Sequence, residues 1–294
     1  MPDNERSSRR PVDARALTRM QRRLAAAPAP WLHTEVARRM AERLPVIRLQ
    51  PTVLLDWWAS SGGGHGALRA QYPQARIVAV ETAPPTPEVA PWWSPRRWRD
   101  AAEVQQESAV AAAGAQMLWA NMMLHGVPDP QLQMAAWQRA LAVDGCLMFS
   151  TLGPGSLQGL RDCYRDQGWP IPHAPFVDMH DLGDMLVHAG FADPVMDQEQ
   201  IVLTWPDTRA LLAELRSLGG NAALARHAGL RTPRWRDRLQ QSLRGLAGAD
   251  GRPQLAFELV YGHAFKPPPR PRLQAETRVD PEDLRTLARR PRTP

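Results

Sequence analysis

Short apolar runs recur along the first half of the chain, and each of them ends in a polar or glycine-rich segment. The runs occupy residues 53–57, 76–81, 116–121 and 146–151 and are rich in Val, Ile, Leu and Met. Runs of this length and composition predict buried β-strands. Between the last two runs, residues 130–141 place Leu, Ala and Trp at helical spacing. This alternation of strands and helices predicts an α/β fold with a mostly parallel sheet.

The second half of the chain predicts further helices and two more strands. Helical spacing covers residues 156–167 and 178–189, and strand patterns occupy 200–205 and 254–265. Residues 207–247 have a helical pattern that is interrupted by a Gly-Gly pair and by a proline. We expect this segment to form a helical cover over the sheet.

The segment between residues 82 and 115 has no clear strand pattern. Residues 82–100 hold five prolines and three tryptophans, which predicts an irregular loop or lid. Residues 100–113 are rich in alanine, which predicts a helix. The sequence therefore offers no candidate for the strand that would follow residues 76–81, and this strand is predicted to be lost.

Positive charge is concentrated at the two ends of the chain. The net charge is +6, with +4 in residues 1–24 and +4 in residues 266–294, so the remainder carries −2. Because this central part is slightly acidic, it lacks the continuous basic face that nucleic-acid binding needs. The composition predicts a basic, disordered segment at 1–30, a folded domain at 31–265 and a disordered Pro/Arg-rich tail at 266–294.

Cysteine content and hydropathy narrow the class of protein further. Cys146 and Cys163 are the only cysteines and lie far apart, which predicts neither a metal site nor a disulfide framework. No apolar run is long enough for a membrane helix, and the N-terminus lacks the apolar stretch of a secretory signal. We therefore expect a cytoplasmic protein without a membrane or nucleic-acid partner.

The first predicted strand leads into the segment that is most informative about function. Asp56 lies near the end of this strand, a loop with Gly62, Gly64 and Gly66 follows, and Glu81 closes the next strand. Glycines let backbone amides approach a ligand closely, and an acid at the second strand end can accept hydrogen bonds from a ribose diol. The unit therefore predicts a site for a ligand that contains a nucleoside.

The glycine loop and the fourth strand resemble those of a known enzyme class. Residues 54–66, LLDWWASSGGGHG, resemble the aspartate and glycine-rich motif of class I S-adenosylmethionine (SAM) methyltransferases, and residues 116–130 are similar to their fourth strand and following loop. The resemblance implies a Rossmann-like fold of the seven-stranded type and SAM as the cofactor. The cofactor-binding residues that it implies are Asp56, Gly62, Gly64, Gly66, Glu81 and Asn121.

Two shorter segments are similar to one branch of this class. Residues 151–157, TLGPGSL, and 215–219, LRSLG, are similar to segments of the malonyl-[acyl-carrier protein] O-methyltransferase family. That family methylates the free carboxyl of a malonyl thioester at the start of biotin biosynthesis, which implies an acyl-carrier protein with a malonyl group as partner. The carboxylate is already ionised, so no general base is predicted. An arginine is suited to orient it, and Arg161 and Arg216 are the candidates.

Two alternatives remain open. Residues 172–191 resemble the complex I assembly-factor branch of the same fold, which is associated with arginine hydroxylation and acts on a protein partner. Trp58 stands where the SAM motif has its first glycine, and Gln116 stands where an aspartate is common. These departures favour the second alternative, which is a degenerate fold that binds SAM weakly or not at all.

Overall fold

The computed structural model describes residues 9–82 and 103–269, which form a seven-stranded mixed sheet flanked by helices. The strands in chain order are β1 (Val53–Trp57), β2 (Arg76–Glu81), β3 (Glu103–Gln106), β4 (Ala115–Ala120), β5 (Leu141–Leu152), β6 (Ala192–Thr204) and β7 (Gln254–Phe265). Their order in space is β3-β2-β1-β4-β5-β7-β6. Strands β1 to β5 pair in parallel, whereas β7 is antiparallel to both of its neighbours. The predicted α/β fold with a mostly parallel sheet is confirmed.

The described residues also form nine α-helices. They are α1 (Ala14–Ala25), α2 (Trp31–Ala41), α3 (Ala59–Gly62), α4 (His65–Gln71), α5 (Pro130–Ala140), α6 (Gln158–Asp166), α7 (Met179–His188), α8 (Thr208–Ser217) and α9 (Pro233–Arg244). Helices α8 and α9 lie within the segment that was expected to cover the sheet.

The sheet contains the third strand that the sequence analysis did not find. Strand β3 pairs in parallel with β2, from Val78 opposite Glu103 to Glu81 opposite Gln106. It is only four residues long and lies exposed at the sheet edge, so it has no apolar run. The helix predicted at 100–113 is wrong from residue 103 onward, because a 3-10 turn follows β3 directly. Beyond Thr82, the predicted loop at 82–100 lies outside the described residues.

Apolar side chains fill both faces of the sheet. Successive residues of a strand point to opposite faces, so Leu54 packs with α2 and α4 on one face and Leu55 packs on the other. The first face also receives Leu211 from α8 and Leu239 from α9. The helices near the C-terminus are therefore held over the sheet by burial of apolar area.

The N-terminal segment is folded as far as the structure describes it. Helix α1 begins after Asp13, whose side chain accepts a hydrogen bond from the Ala16 amide at 2.8 Å. The same carboxylate pairs with Arg226 at 3.0 Å, which holds the segment against the loop before α9. Disorder at 1–30 is therefore a wrong prediction for residues 9–30, and residues 1–8 lie outside the described part.

The described start of the C-terminal tail is attached to the sheet. Lys266 Nζ donates a hydrogen bond to the backbone oxygen of Leu141 at 2.7 Å. Residues 266–269 follow β7 without helix or strand, and the rest of the predicted tail lies outside the described residues.

Candidate active site

The loop after β1 turns sharply and packs its glycines against β4 and α2. Gly63 has a φ of 71°, and a Cβ at this position would lie 2.9 Å from a hydroxyl of α2. A Cβ at Gly64 would lie 2.6 Å from Trp119 Nε1. The Cβ position of Gly62 has only ordinary contacts, and that of Gly66 has open space. Packing therefore requires glycine at 63 and 64, whereas at 62 and 66 it does not.

Glu81 ends β2 and faces this loop. The backbone amide of Ser60 donates to Glu81 Oε1 at 2.7 Å, and Ser60 Oγ donates to Oε2 at 3.0 Å. Burial raises the pKa of Glu81, and the negative charge of Asp56 acts in the same direction. A carboxylate has about four lone-pair sites, so each oxygen can accept a further hydrogen bond. The predicted strand-end acid therefore has acceptor capacity left for a ligand.

Asp56 is a fully buried carboxylate near the end of β1. Neither of its oxygens has a hydrogen-bond partner among the described residues. His65 Nδ1 lies 3.8 Å from Oδ2, which is too long for a hydrogen bond. Burial raises the pKa of Asp56. Because an unpartnered buried carboxylate costs free energy, this position calls for a donor that the described residues do not supply.

Trp58 occupies the first glycine position of the motif and keeps a glycine-like backbone. Its φ of 56° and ψ of 46° are left-handed. A Cβ at Gly126 would lie 3.3 Å from the Trp58 ring, and Trp58 Nε1 lies 3.4 Å from Glu107 Oε2. The ring therefore lies between the ends of β1 and β3 and the loop after β4. Glu107 follows β3 directly, so it is the third strand-end acid that sequence reasoning missed.

Asn121 follows β4 and holds three segments together through its buried side chain. Its Nδ2 donates to the backbone oxygens of His33, at 2.8 Å, and of Gly62, and its Oδ1 accepts from Ser150 Oγ at 2.7 Å. Both N–H groups of the carboxamide are therefore in use. This geometry suits a residue that positions the loop after β1 better than one that contacts a ligand directly.

A cavity of about 290 Å³ adjoins this loop beneath helices α8 and α9. Its walls come from α1, α6, α8, α9 and residues 172–176, and most of the wall side chains are apolar. The charged and imidazole side chains in the wall are Arg10, His33, His125, His173, Arg216 and Arg236. An apolar cavity with a few convergent polar groups is the usual form of a small-molecule site.

Two of these histidines are neutral and have a nitrogen without a partner. His33 Nδ1 lies 2.7 Å from the Ser61 oxygen, and His173 Nδ1 lies 2.9 Å from the Ala174 oxygen. Because a carbonyl oxygen only accepts, each Nδ1 carries the hydrogen and each Nε2 carries a lone pair. Neither Nε2 has a partner among the described residues. Burial lowers the pKa of His33 to about 4 and also lowers that of His173.

Arg10 is a buried cation in the cavity wall. Its guanidinium donates to the backbone oxygens of Pro175 at 2.9 Å, of Val127 at 3.2 Å and of His125. Among the described residues, no carboxylate pairs with it. Burial lowers the pKa of Arg10 to about 10, so the group is charged at neutral pH. Sequence reasoning missed it because it lies in the segment that was expected to be disordered.

The chain is similar to curated enzymes of one kind over most of its length. It is 37% identical over 262 residues to the malonyl-[acyl-carrier protein] O-methyltransferase of Laribacter hongkongensis, which covers 83% of this chain and 86% of that protein. The enzyme of the same name from Methylovorus sp. is 33% identical over 274 residues and covers 90% of each chain. The chain belongs to the malonyl-[acyl-carrier protein] O-methyltransferase family. The resemblance stated from the sequence is therefore confirmed.

Solved structures agree with the fold of this O-methyltransferase family member. The YcgJ protein of Bacillus subtilis superposes with a TM-score of 0.54 at 13% identity and covers 80% of this chain and 99% of its own. A candidate methyltransferase of Bacillus halodurans gives a TM-score of 0.51 at 14% identity, with 79% and 100% covered. At these identities the likeness concerns the fold alone. No protein-family model matches the chain.

The two arginines predicted to orient an acceptor in this O-methyltransferase family member lie in different places. Arg216, in α8, is exposed and lines the cavity. Arg161, in α6, is also exposed but is not one of the cavity-lining residues. Arg236, in α9, lines the cavity as well, and its helical pattern gave no signal of this in the sequence.

The part of the chain that the structure describes has neither a membrane-spanning helix nor a cluster of metal ligands. Each of its helices is too short or too polar to cross a bilayer. No three His, Cys, Asp or Glu side chains in this part are grouped so that they could hold a metal ion.

Proposed function

We propose that the chain is a SAM-dependent methyltransferase that methylates the free carboxyl of a malonyl group carried by an acyl-carrier protein, a step of biotin biosynthesis. The observation that carries this proposal is Arg10, a buried cation with no carboxylate partner among the described residues, in the wall of an apolar cavity. A malonyl thioester ends in one carboxylate, which needs a cation when it leaves water. The names of the relatives from Laribacter and Methylovorus support the same substrate.

The strand ends and the loop beside this cavity fit SAM. Glu81 keeps acceptor capacity for the two ribose hydroxyls, Asp56 lacks donors for both oxygens, and Glu107 adds an acid at the third strand end. When bound, SAM supplies a methyl group on a positively charged sulfur. The cofactor-binding residues that we propose are Asp56, Gly62, Gly64, Gly66, Glu81 and, as a positioning residue, Asn121.

The cavity residues position the acceptor and exclude water. A guanidinium has five N–H groups, and the contacts of Arg10 with backbone oxygens leave at least one of them for a substrate carboxylate. The carboxylate is the nucleophile and is already ionised at neutral pH, so no side chain has to remove a proton. The contribution of the protein is then to hold the reacting atoms in line in a dry site.

Methyl transfer to matched thioesters tests the proposed acceptor. The purified full chain is incubated with methyl-labelled SAM and either malonyl-carrier protein or acetyl-carrier protein, which has the same arm but no free carboxyl. We expect a base-labile methyl ester on the malonyl substrate alone. In the same assay Arg10→Gln loses this activity, whereas Arg9→Gln, at an exposed neighbouring position, keeps it. Label on both substrates, or on neither, contradicts the proposal.

Calorimetric titration tests the cofactor site separately. Glu81→Gln removes a charged acceptor, so we expect its affinity for SAM and S-adenosylhomocysteine to fall by about tenfold or more. Glu103→Gln is the matched control, because Glu103 is exposed in neighbouring β3 and pairs with Arg76 outside the site. An equal loss in both variants argues against a ribose contact. Absence of binding to the unmodified chain supports the degenerate fold considered above.

We also propose that the protein works in the cytoplasm, because SAM and acyl-carrier thioesters are made there. Action on a protein as an arginine hydroxylase rests only on the resemblance of residues 172–191, and no contact among the described residues favours it. Stable capture of a polypeptide without methyl transfer to malonyl-carrier protein would support that alternative.

A further inference from the structure

The cavity wall includes two exposed arginines and a buried histidine that contacts the loop after β1. Arg216 and Arg236 line it from α8 and α9 and are exposed. His33 lines it where its ring binds the Ser61 oxygen of the loop. We propose that this cavity holds the phosphopantetheine arm of the acyl-carrier protein, with Arg216 and Arg236 binding the phosphodiester. The inference rests on the function proposed above and assigns the residues that recognise the carrier's arm.

The two arginines are suited to a phosphodiester. Neither forms an ion pair with a carboxylate among the described residues. They lie on two helices that contact each other and line the same cavity, and the proposal is that both groups bind one phosphate. Guanidinium groups bind phosphate oxygens through paired N–H donors, and this contact is stronger than a hydrogen bond between neutral groups.

The apolar side chains of the wall are suited to the middle of the arm. Leu212 and Leu215 line the cavity from α8, Leu239 lines it from α9, and Leu160 lines it from α6. The arm consists largely of methyl and methylene groups, which are interrupted by a secondary hydroxyl and two secondary amides. Its aliphatic parts bury apolar area against these leucines, which favours binding without a charged partner.

The wall also offers acceptors for the amides of the arm. The Nε2 atoms of His33 and His173 are lone-pair acceptors without a partner among the described residues. An ionised malonyl group has no N–H or O–H to donate, whereas the arm has an N–H on each amide and one hydroxyl. The acceptors therefore match the arm rather than the acyl group, which leaves the acyl carboxylate to the inner cation Arg10.

Kinetics with truncated substrates test the assignment of the arginines. The double variant Arg216→Ala/Arg236→Ala is compared with the unmodified chain on malonyl-carrier protein, malonyl-phosphopantetheine and malonyl-pantetheine, which lacks the phosphate. We expect the KM to rise about tenfold or more for the two substrates with phosphate and to change less than about twofold for malonyl-pantetheine. Arg209→Ala is the control, because Arg209 is exposed on α8 but does not line the cavity.

A binding measurement without SAM gives a second readout. The unmodified chain should bind carrier protein that has its phosphopantetheine arm about tenfold more tightly than carrier protein without it, and the double variant should lose this difference. A rise in KM for malonyl-pantetheine as large as that for malonyl-carrier protein overturns the proposal, as does an equal effect of Arg209→Ala. If the unmodified chain methylates no malonyl thioester, the proposed function fails, and the titration alone decides whether the arm binds.

Discussion

At the scale of single residues, His33 connects the loop after β1 to the cavity. Its backbone oxygen accepts from Asn121, its Nδ1 donates to Ser61, and its ring lies in the cavity wall. A change in this ring therefore affects the proposed cofactor loop and the proposed acceptor site together. Because the ring is fully buried, its protonation also affects the stability of the fold.

The buried His33 predicts a loss of stability in mild acid. Its pKa is about 4 in the folded protein and ordinarily 6.5, so between these values the unfolded chain binds a proton that the folded chain does not. Stability therefore falls as the pH falls through this range. Between pH 7 and about pH 5, the unmodified chain should lose about 2 kcal/mol more unfolding free energy than His33→Gln in urea titrations. Equal losses contradict this prediction.

The other buried groups do not change the sign of that comparison. Burial lowers the pKa of His125 and His173, which adds to the loss of stability in acid. Burial raises the pKa of Asp56 and Glu81, which opposes it. All four groups are present in both proteins, so the difference between the two pH profiles reports His33 together with its effect on the pKa of His125.

Some site residues could be predicted from the sequence because they lie at the end of a predicted strand. Asp56 and Glu81 stand out as acids at the ends of apolar runs, and the structure brings both to the loop after β1. Gln116 stands where the motif commonly has an aspartate, and its Oε1 accepts a hydrogen bond from the Val53 amide at 2.8 Å. An aspartate oxygen can accept the same hydrogen bond. This departure from the motif alone therefore does not indicate whether the cofactor site is retained. Arg10 had no such marker, because its role depends on backbone oxygens far along the chain.

At the scale of elements, the sequence predicted the buried strands and missed the short edge strand β3. Strands β1, β2, β4 and β5 are buried on both faces and appear as apolar runs. Strand β3 is exposed, so its sequence EVQQ shows no pattern. Helix α1 was missed for another reason: its many arginines suggested a solvated tail, although Leu17 and Leu24 are buried on one face.

Helix α1 predicts a link between a helix cap and substrate binding. Asp13 caps α1 and pairs with Arg226, and Arg10 lies three residues before it. Asp13→Ala should lower stability by about 1–2 kcal/mol and raise the KM for malonyl-carrier protein, because the segment that carries Arg10 loses its anchor. Asp129→Ala, which removes the cap of α5, should lower stability without raising the KM. Urea titration and steady-state kinetics measure the two effects, and a rise in KM for both variants contradicts the link.

At the scale of the whole molecule, the charges of the folded part are unevenly distributed. The chain between residues 25 and 265 carries a net charge of −2. Residues 231–244, which include α9, nevertheless have a single acid, Asp237, and these arginines: Arg231, Arg234, Arg236, Arg238 and Arg244. The net charge of the chain gave no sign of this patch, because net charge does not show where the charges lie. The position of the patch beside the cavity depends on the fold. Acyl-carrier proteins are acidic, so this surface should attract them from a distance.

Attraction of this kind predicts a salt dependence that differs between substrates. Raising the ionic strength from about 0.01 M to about 0.15 M shortens the Debye length from about 30 Å to about 8 Å. We expect kcat/KM for malonyl-carrier protein to fall about tenfold over this range, because the rate of encounter depends on the arginines around α9. For malonyl-pantetheine, which has one charge and no carrier, the fall should be about twofold or less. Equal salt dependence would mean that salt acts on the fold or on the cofactor site, and the surface around α9 would then have no part in carrier recognition.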